Sequence, residues 1–218
     1  MNKSKIAGIA FNVPDNIVTN HDLEKMMDTT DEWIQTRSGI KERRWVKPGV
    51  ANSDLALPAC QEAIQNAGIS PDDIDAIIVG TVTSDFNFPG MAPIIQQKLG
   101  ISAHVPAYDI SAACSAFIYL LEIGDQYIKS GKYKNILLIG SDIMSTIIER
   151  TPEGRATGVL FGDGSGAVVL QASNDDSGIL STHLFADGKG VEHLGAKAPG
   201  SLFNPLRIDE QIVADRHH

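Results

Sequence analysis

Residues 105–131 read VPAYDISAACSAFIYLLEIGDQYIKSG, and no other stretch constrains the fold of this chain as strongly. Tyr108, Asp109 and Ile110 close a short segment with strand character, and Ser111, Ala112 and Ala113 are small enough for a sharp turn. A long helix follows. It is apolar nearly all round at its start, through Phe117, Ile118, Tyr119, Leu120, Leu121 and Ile123. It becomes polar near Asp125, Gln126 and Lys129 before Gly131 stops it. Its front end is therefore expected to be buried, and a rod of about 17 residues, roughly 25 Å long, can cross a domain core. Cys114 falls at the helix N-terminus, where unpaired N–H groups and the positive end of the macrodipole favour thiolate over thiol. That is a good place for a nucleophile, although a small apolar residue on an Ala-rich helix also reads as core packing.

The rest of the composition narrows the classes. A hydrophobic fraction of 43% and a charged fraction of 21% over 218 residues describe a globular chain with enough apolar surface for a substantial core. The net charge of −9 lacks the clustered basic face that nucleic-acid binding needs; the one basic run, Lys41, Arg43 and Arg44, is short. Two cysteines, Cys60 and Cys114, make no disulfide framework, and no C-x-x-C or His pair at metal spacing occurs. A reducing cytoplasm and no metal are expected. The N-terminal apolar segment, residues 6–11, is too short for a signal h-region or a membrane span.

In chain order, residues 5–12 predict a first strand. Thr19 with Asp22, and Thr29 with Glu32, predict two capped short helices, the second ending at Ser38 and Gly39. Asn52 or Ser53 can cap a longer helix that runs through Ala67 and contains Pro58. Residues 76–82 and 135–141 are continuous apolar runs, as for strands buried on both faces, and residues 91–99 predict a helix between them. Residues 159–161 and 167–170 read as two further strands around Gly162, Gly164 and Gly166. That run is not a phosphate loop, since G-x-G-x-G is followed by an apolar strand and not a helix; tight strand packing explains it better. Alternating strands and helices imply a mostly parallel sheet covered on both faces. After a polar interruption at 173–178, residues 178–187 predict a fresh first strand, faintly echoing residues 5–15. Residues 188–218 then lose periodicity. The organisation expected is an N-terminal half, residues 1–175, and the beginning of a second half, residues 176–218.

Four stretches carry a resemblance: TTDEWIQTRSGIKERR at 29–44, FNFPG at 86–90, DISAACSAF at 109–117 and GRATGVLFGDGSGA at 154–167. Together they resemble the β-ketoacyl-acyl-carrier-protein synthase III family, condensing enzymes that start type II fatty acid synthesis on the layered αβαβα thiolase-like α/β fold. The resemblance implies that Cys114 takes the acyl group from acyl-CoA as a thioester. It implies that Trp33 and Arg155 sandwich the adenine of CoA, which suits an indole face and a guanidinium plane. It assigns Arg37 to a CoA phosphate with Ser38 beside it, and Phe88 to a wall of the partner's acyl pocket across a homodimer. Taken singly, Trp33 reads as a half-buried packing residue, Arg37 and Arg155 as surface ion pairs, and Phe88 as core.

The resemblance further implies malonyl-acyl-carrier protein as second substrate, no metal or redox cofactor, no membrane, and decarboxylation by a His and an Asn from the second half of the fold. None of His21, His104, His183, His193, His217 and His218 sits in that His motif. The chain therefore reads as the first half of such an enzyme plus the opening of the second, inactive in condensation by itself. The alternatives are a secondary-metabolism condensing enzyme or acyltransferase of the same fold, and a non-catalytic partner subunit. Such subunits usually lose the nucleophile.

Overall fold

The computed structural model describes residues 3–102, 104–173 and 177–196. They divide into a unit ending at Thr182 and a second beginning at His183. In the second, Gly188–Gly190 forms one 3₁₀ turn capped by the Asp187 side chain. Residues 197–218 of the expected aperiodic stretch, with His217 and His218, lie outside the described residues.

The first unit is built on a five-stranded sheet of order β1-β7-β6-β4-β5. Its strands are β1 (Lys3–Asn12), β4 (Ala76–Gly80), β5 (Ala107–Ile110), β6 (Asn135–Ile143) and β7 (Asp163–Ser173). A separate ribbon pairs β2 (Ile17–Thr19) with β3 (Glu42–Arg44). β4 runs parallel to β5 and β6, whereas β7 runs antiparallel to β6 and β1. The apolar runs become buried strands as expected, with all five residues of β4 sealed from solvent. The two strands predicted at 159–161 and 167–170 are instead one. Val159 and Leu160 finish a short helix, α6 (Arg155–Gly158), and the chain enters β7 at Asp163. The buried Asp163 carboxylate fixes that point, accepting from Val46 N–H at 2.7 Å, Ser145 N–H at 2.8 Å and Ser145 Oγ at 2.6 Å. A Cβ on Gly162 would lie 3.1 Å from Arg43 Cβ and the Arg44 carbonyl, so close packing against β3 accounts for the first glycine of the run.

Helices cover both faces. α3 (Asn52–Asn66) and α4 (Met91–Lys98) pack on one face through Ala56, Ala59, Cys60, Ala63, Ile64, Met91, Ala92 and Ile95. Small residues let α3 approach closely: a Cβ on Gly8 of β1 would fall 2.1 Å from the Ala63 carbonyl. On the other face lies α5 (Ala116–Lys129), whose buried stripe Ala116, Leu120, Gly124 and Ile128 repeats every four residues.

One of the expected helix caps stays in place and two shift by a residue. The short helix α1 (Asn20–Leu23) has the Thr19/Asp22 capping box. The cap of α2 (Asp31–Ser38) is Thr30 and not Thr29: Thr30 Oγ1 accepts from Trp33 N–H at 3.1 Å. Gly39 closes α2 at φ +74°, a backbone conformation costly for a side chain. Asn52 does not cap α3, because its buried amide bonds Thr81, Thr83 and Ser141; Ala51 takes the cap position and donates its N–H to Asp54 at 3.2 Å. Residues 178–187 do not form the strand expected of them. Ile179 N–H donates to the Ser4 carbonyl at 2.9 Å, but no ladder follows among the described residues.

Candidate active site

The parallel strands end together: Gly80 of β4 stands opposite both Ile110 of β5 and Gly140 of β6. Open α/β sheets place ligand sites beyond such carboxyl ends. Here β5 leads within four residues to Cys114. The thiol does not sit on the first turn of α5, as the sequence suggests, but in a single 3₁₀ turn, Ala113–Ser115, just ahead of it. Ser115 closes that turn by donating N–H and Oγ to the Ala112 carbonyl at 3.2 and 2.9 Å. Ala113 takes φ +45°, the one positive value at a non-glycine among the described residues. Such a conformation costs on the order of 1–3 kcal/mol and persists where surrounding structure enforces it. Here it turns Cys114 outward, and the side chain is exposed.

The start of α5 is less buried than its composition predicts. Phe117 and Tyr119 are half-buried and Ile118 is 45% exposed, because the sheet covers only the Ala116-Leu120-Gly124-Ile128 stripe. Of the polar residues at the other end of the helix, Gln126 is exposed as expected but Asp125 is buried. Its carboxylate receives Ser4 Oγ at 2.5 Å and Lys129 Nζ at 2.6 Å.

Beside the strand ends lies a cavity of about 470 Å³, lined by 81–84, Phe86, Asn87, 109–111, Thr146 and Ile147. A polar network fixes its wall. Asp142 Oδ1 accepts from Thr81 Oγ1, Val82 N–H and Thr83 Oγ1 at 3.0, 2.9 and 2.9 Å. Asn52 donates to Thr81 Oγ1 at 3.1 Å and the Ser141 carbonyl at 3.0 Å. The sequence offers one cue to these residues, that the network joins the ends of apolar strands; nothing in local pattern singles out Asn52.

A second cluster gathers three of the expected residues. Trp33 is half-buried on α2, with the Arg37 guanidinium 4.4 Å and the Arg155 guanidinium 5.0 Å from its ring centroid. Arg155 is tied to Asp28, donating to its carbonyl at 2.6 Å and lying 3.5 Å from its carboxylate. Asp28 was not singled out in the sequence, although it immediately precedes the TTDEW stretch. Ser38 is exposed, donates to the Ile34 carbonyl at 2.8 Å and accepts from Ile40 N–H at 3.2 Å, finishing the helix. Phe88 is not core: it is 89% exposed on the segment between β4 and α4. The other cysteine, Cys60, is wholly enclosed, and burial pushes its thiol up to about 12.

The sheet order, the two covering helix layers and the exposed cysteine in a strained turn between β5 and α5 define a thiolase-like α/β protein, and comparison with known proteins specifies which. The family model described as 3-oxoacyl-[acyl-carrier-protein (ACP)] synthase III matches residues 108–188, the stretch holding Cys114. Beta-ketoacyl-[acyl-carrier-protein] synthase III 1 of Bacillus anthracis is 49% identical over 189 residues, 87% of this chain and 60% of that protein. The Vibrio vulnificus protein of the same name is 50% identical over 196 residues, 90% of this chain and 61% of its own. The crystal structure of the synthase III from Aquifex aeolicus VF5 superposes with a TM-score of 0.82 at 48% identity, covering 85% of this chain and 59% of that one. This chain belongs to the β-ketoacyl-acyl-carrier-protein synthase III family and spans about 60% of the length of the curated relatives it matches.

Proposed function

We propose that this chain supplies the acyl-loading half of a condensing enzyme that starts type II fatty acid synthesis from acyl-CoA and malonyl-acyl-carrier protein. The observation that carries this reading is the exposed Cys114 in the strained turn ahead of α5. In the loading step the Cys114 thiolate attacks the thioester carbonyl of acyl-CoA, the tetrahedral adduct expels the CoA thiolate, and an acyl-Cys114 thioester remains. The proton lost from Cys114 balances the one taken up by CoA. Condensation then uses the His and Asn of the second half, and no metal or redox group takes part.

Trp33, Arg37 and Arg155 bind CoA. The 5.0 Å between Arg155 and the Trp33 ring cannot hold a purine, which needs about 3.5 Å on each side. Arg155 therefore swings outward against its Asp28 tether as the adenine enters. Arg37 meets a phosphate, and Ser38 secures the end of α2 that carries Arg37. Phe88 reaches the acyl pocket of a partner in a homodimer. Two free cysteines suit a reducing cytoplasm, and no described helix is long and apolar enough to cross a membrane.

The test is an intact-mass measurement before and after incubation with acetyl-CoA. One acetyl group is expected on Cys114 and none on Cys60. Cys114→Ser abolishes loading while retaining CoA binding; a Cys114→Ser protein that still becomes acetylated sinks the assignment. Trp33→Ala weakens CoA binding by about 1–3 kcal/mol if the indole stacks on adenine.

A further inference from the structure

The segment between β4 and α4 is bare at its tip and fastened at its base. Phe86 and Phe88 are 61% and 89% exposed. Behind them, Asp142 accepts from Val82 N–H, and Asp85 accepts from Ser53 N–H and Oγ at 2.9 and 2.5 Å. Ahead of them, the Asp109 carboxylate takes Met91 N–H at 2.5 Å and Ala92 N–H at 2.7 Å. Asp109 belongs to β5, in register with Val79, and stands five residues before Cys114. Gly90 seals the contact, since a Cβ there would lie 2.8 Å from Asp109 Oδ2 and 2.9 Å from its Cγ. One carboxylate thus joins the aromatic tip to the strand that leads into the cysteine turn. A large ring held out into solvent on a clamped base is suited to a protein surface, where rigid aromatic anchors contribute most.

We propose that Asp109 is a positioning residue that fixes Phe88 for use by the partner subunit, so that altering it changes acyl loading more at the other subunit's cysteine than at its own. This rests on the reading above that Phe88 walls the partner's pocket. Asp109→Asn keeps the shape but sets amide hydrogens against one of the two backbone N–H donors. Gly90→Ala, whose backbone at φ −65° and ψ 170° accepts a side chain, presses on the same carboxylate.

The test uses hybrid dimers of the full chain, purified through two different tags, in which one subunit carries Cys114→Ser and a single cysteine remains to be loaded. Preference between acetyl-CoA and hexanoyl-CoA is read by intact mass. With Asp109→Asn on the Cys114→Ser subunit, the preference of the intact Cys114 shifts by about tenfold, the scale of a one-methylene misfit in an apolar pocket. With Asp109→Asn on the same subunit as the intact Cys114, the shift is smaller than in the first arrangement. Gly90→Ala follows the same pattern. An equal or larger shift in cis, no shift in either arrangement for both variants, or failure of both variants to fold overturns the role of Asp109 while the loading reading stands. A wild-type chain that is monomeric, or that loads no acyl group, removes the function proposed above and this inference with it.

Discussion

The two faces of the sheet differ in how they are closed, and each carries one of the two cysteines. On the α3/α4 face, Ala56, Ala59, Cys60 and Ala63 meet Ile77, Val79, Leu137 and Ile139, all at 0% exposure. On the α5 face the core is equally dry under the helix, at Ile78, Leu120, Ile136 and Leu138. Beyond the helix that face is open. Ile9 and Phe11 of β1 are 63% and 73% exposed and border, with Phe117, Gly140 and Gly166, a hollow of about 350 Å³. The sealed face holds a thiol that chemistry cannot reach, and the open one ends in a thiol presented to solvent. Small residues serve both faces in opposite ways. They draw α3 onto the sheet at Gly8, and they leave a hollow at Gly166, where an added Cβ meets nothing within 4 Å.

The largest effect is expected where the sealed face has no slack. Gly8→Ala drives a methyl group into the Ala63 carbonyl and toward Ala67 N, backbone atoms that cannot rotate away. Overpacking of this kind costs about 3 kcal/mol or more, because β1 and α3 must separate. A urea transition reads it directly. A loss under about 1 kcal/mol means that the α3 contact gives way cheaply and that the contrast between the faces is weaker than drawn.

The next effect lies in the pH dependence of stability. Cys60 sits on the sealed face with its thiol pushed up to about 12 by burial, while an unfolded thiol titrates near 8.5. Below the unfolded value both states hold the proton and the stability is fully present. Between the two values the unfolded chain loses the proton and the folded chain keeps it, so stability falls as pH rises, by up to about 1.4 kcal/mol per pH unit from this group. Cys60→Ala removes that contribution. Urea transitions at pH 8 and pH 10.5 are expected to differ less in the variant than in the parent protein. An equal alkaline loss in both proteins means that Cys60 is not sealed from solvent as its position implies.

These contrasts show what was readable in the sequence. The apolar runs at 76–82, of which 76–80 form strand, and at 135–141, with the strand–turn–helix around Cys114, follow from periodicity and residue size, which act locally. The motifs that carry the family resemblance brought Trp33, Arg37 and Arg155 together, and the structure stacks both guanidinium groups on one indole. What escaped depends on partners distant in sequence. Asn52 is drawn off helix capping by residues 29 and 89 positions away, and Asp163 starts β7 because Val46 and Ser145 converge on it. Asp125 reads as helix surface and is buried because Ser4, 121 positions away, bonds to it. The strand expected at 178–187 had the composition for a ladder, but among the described residues one backbone bond, from Ile179 to Ser4 of β1, is what it has to build on. Apolar character on α5 was legible, but which stripe the sheet covers was not, since Phe117 and Ile118 are as hydrophobic as Leu120.

The smallest effect provides the control for the first. Gly166 lies on β7 opposite Phe11 and faces the hollow, away from α3. Gly166→Ala adds the same methyl group as Gly8→Ala, on the neighbouring strand, with no atom within 4 Å to resist it. The replacement reduces the freedom of the unfolded chain, which favours the folded state slightly, and it covers little new apolar surface. The stability change should stay within about 0.5 kcal/mol of zero, measured by the same urea transition. The two substitutions together separate space from propensity: if Gly166→Ala costs as much as Gly8→Ala, the penalty at Gly8 comes from strand backbone preference, and the closeness of α3 is not what distinguishes the faces. A neutral Gly166→Ala beside a costly Gly8→Ala assigns the difference to the 2.1 Å approach of the Ala63 carbonyl.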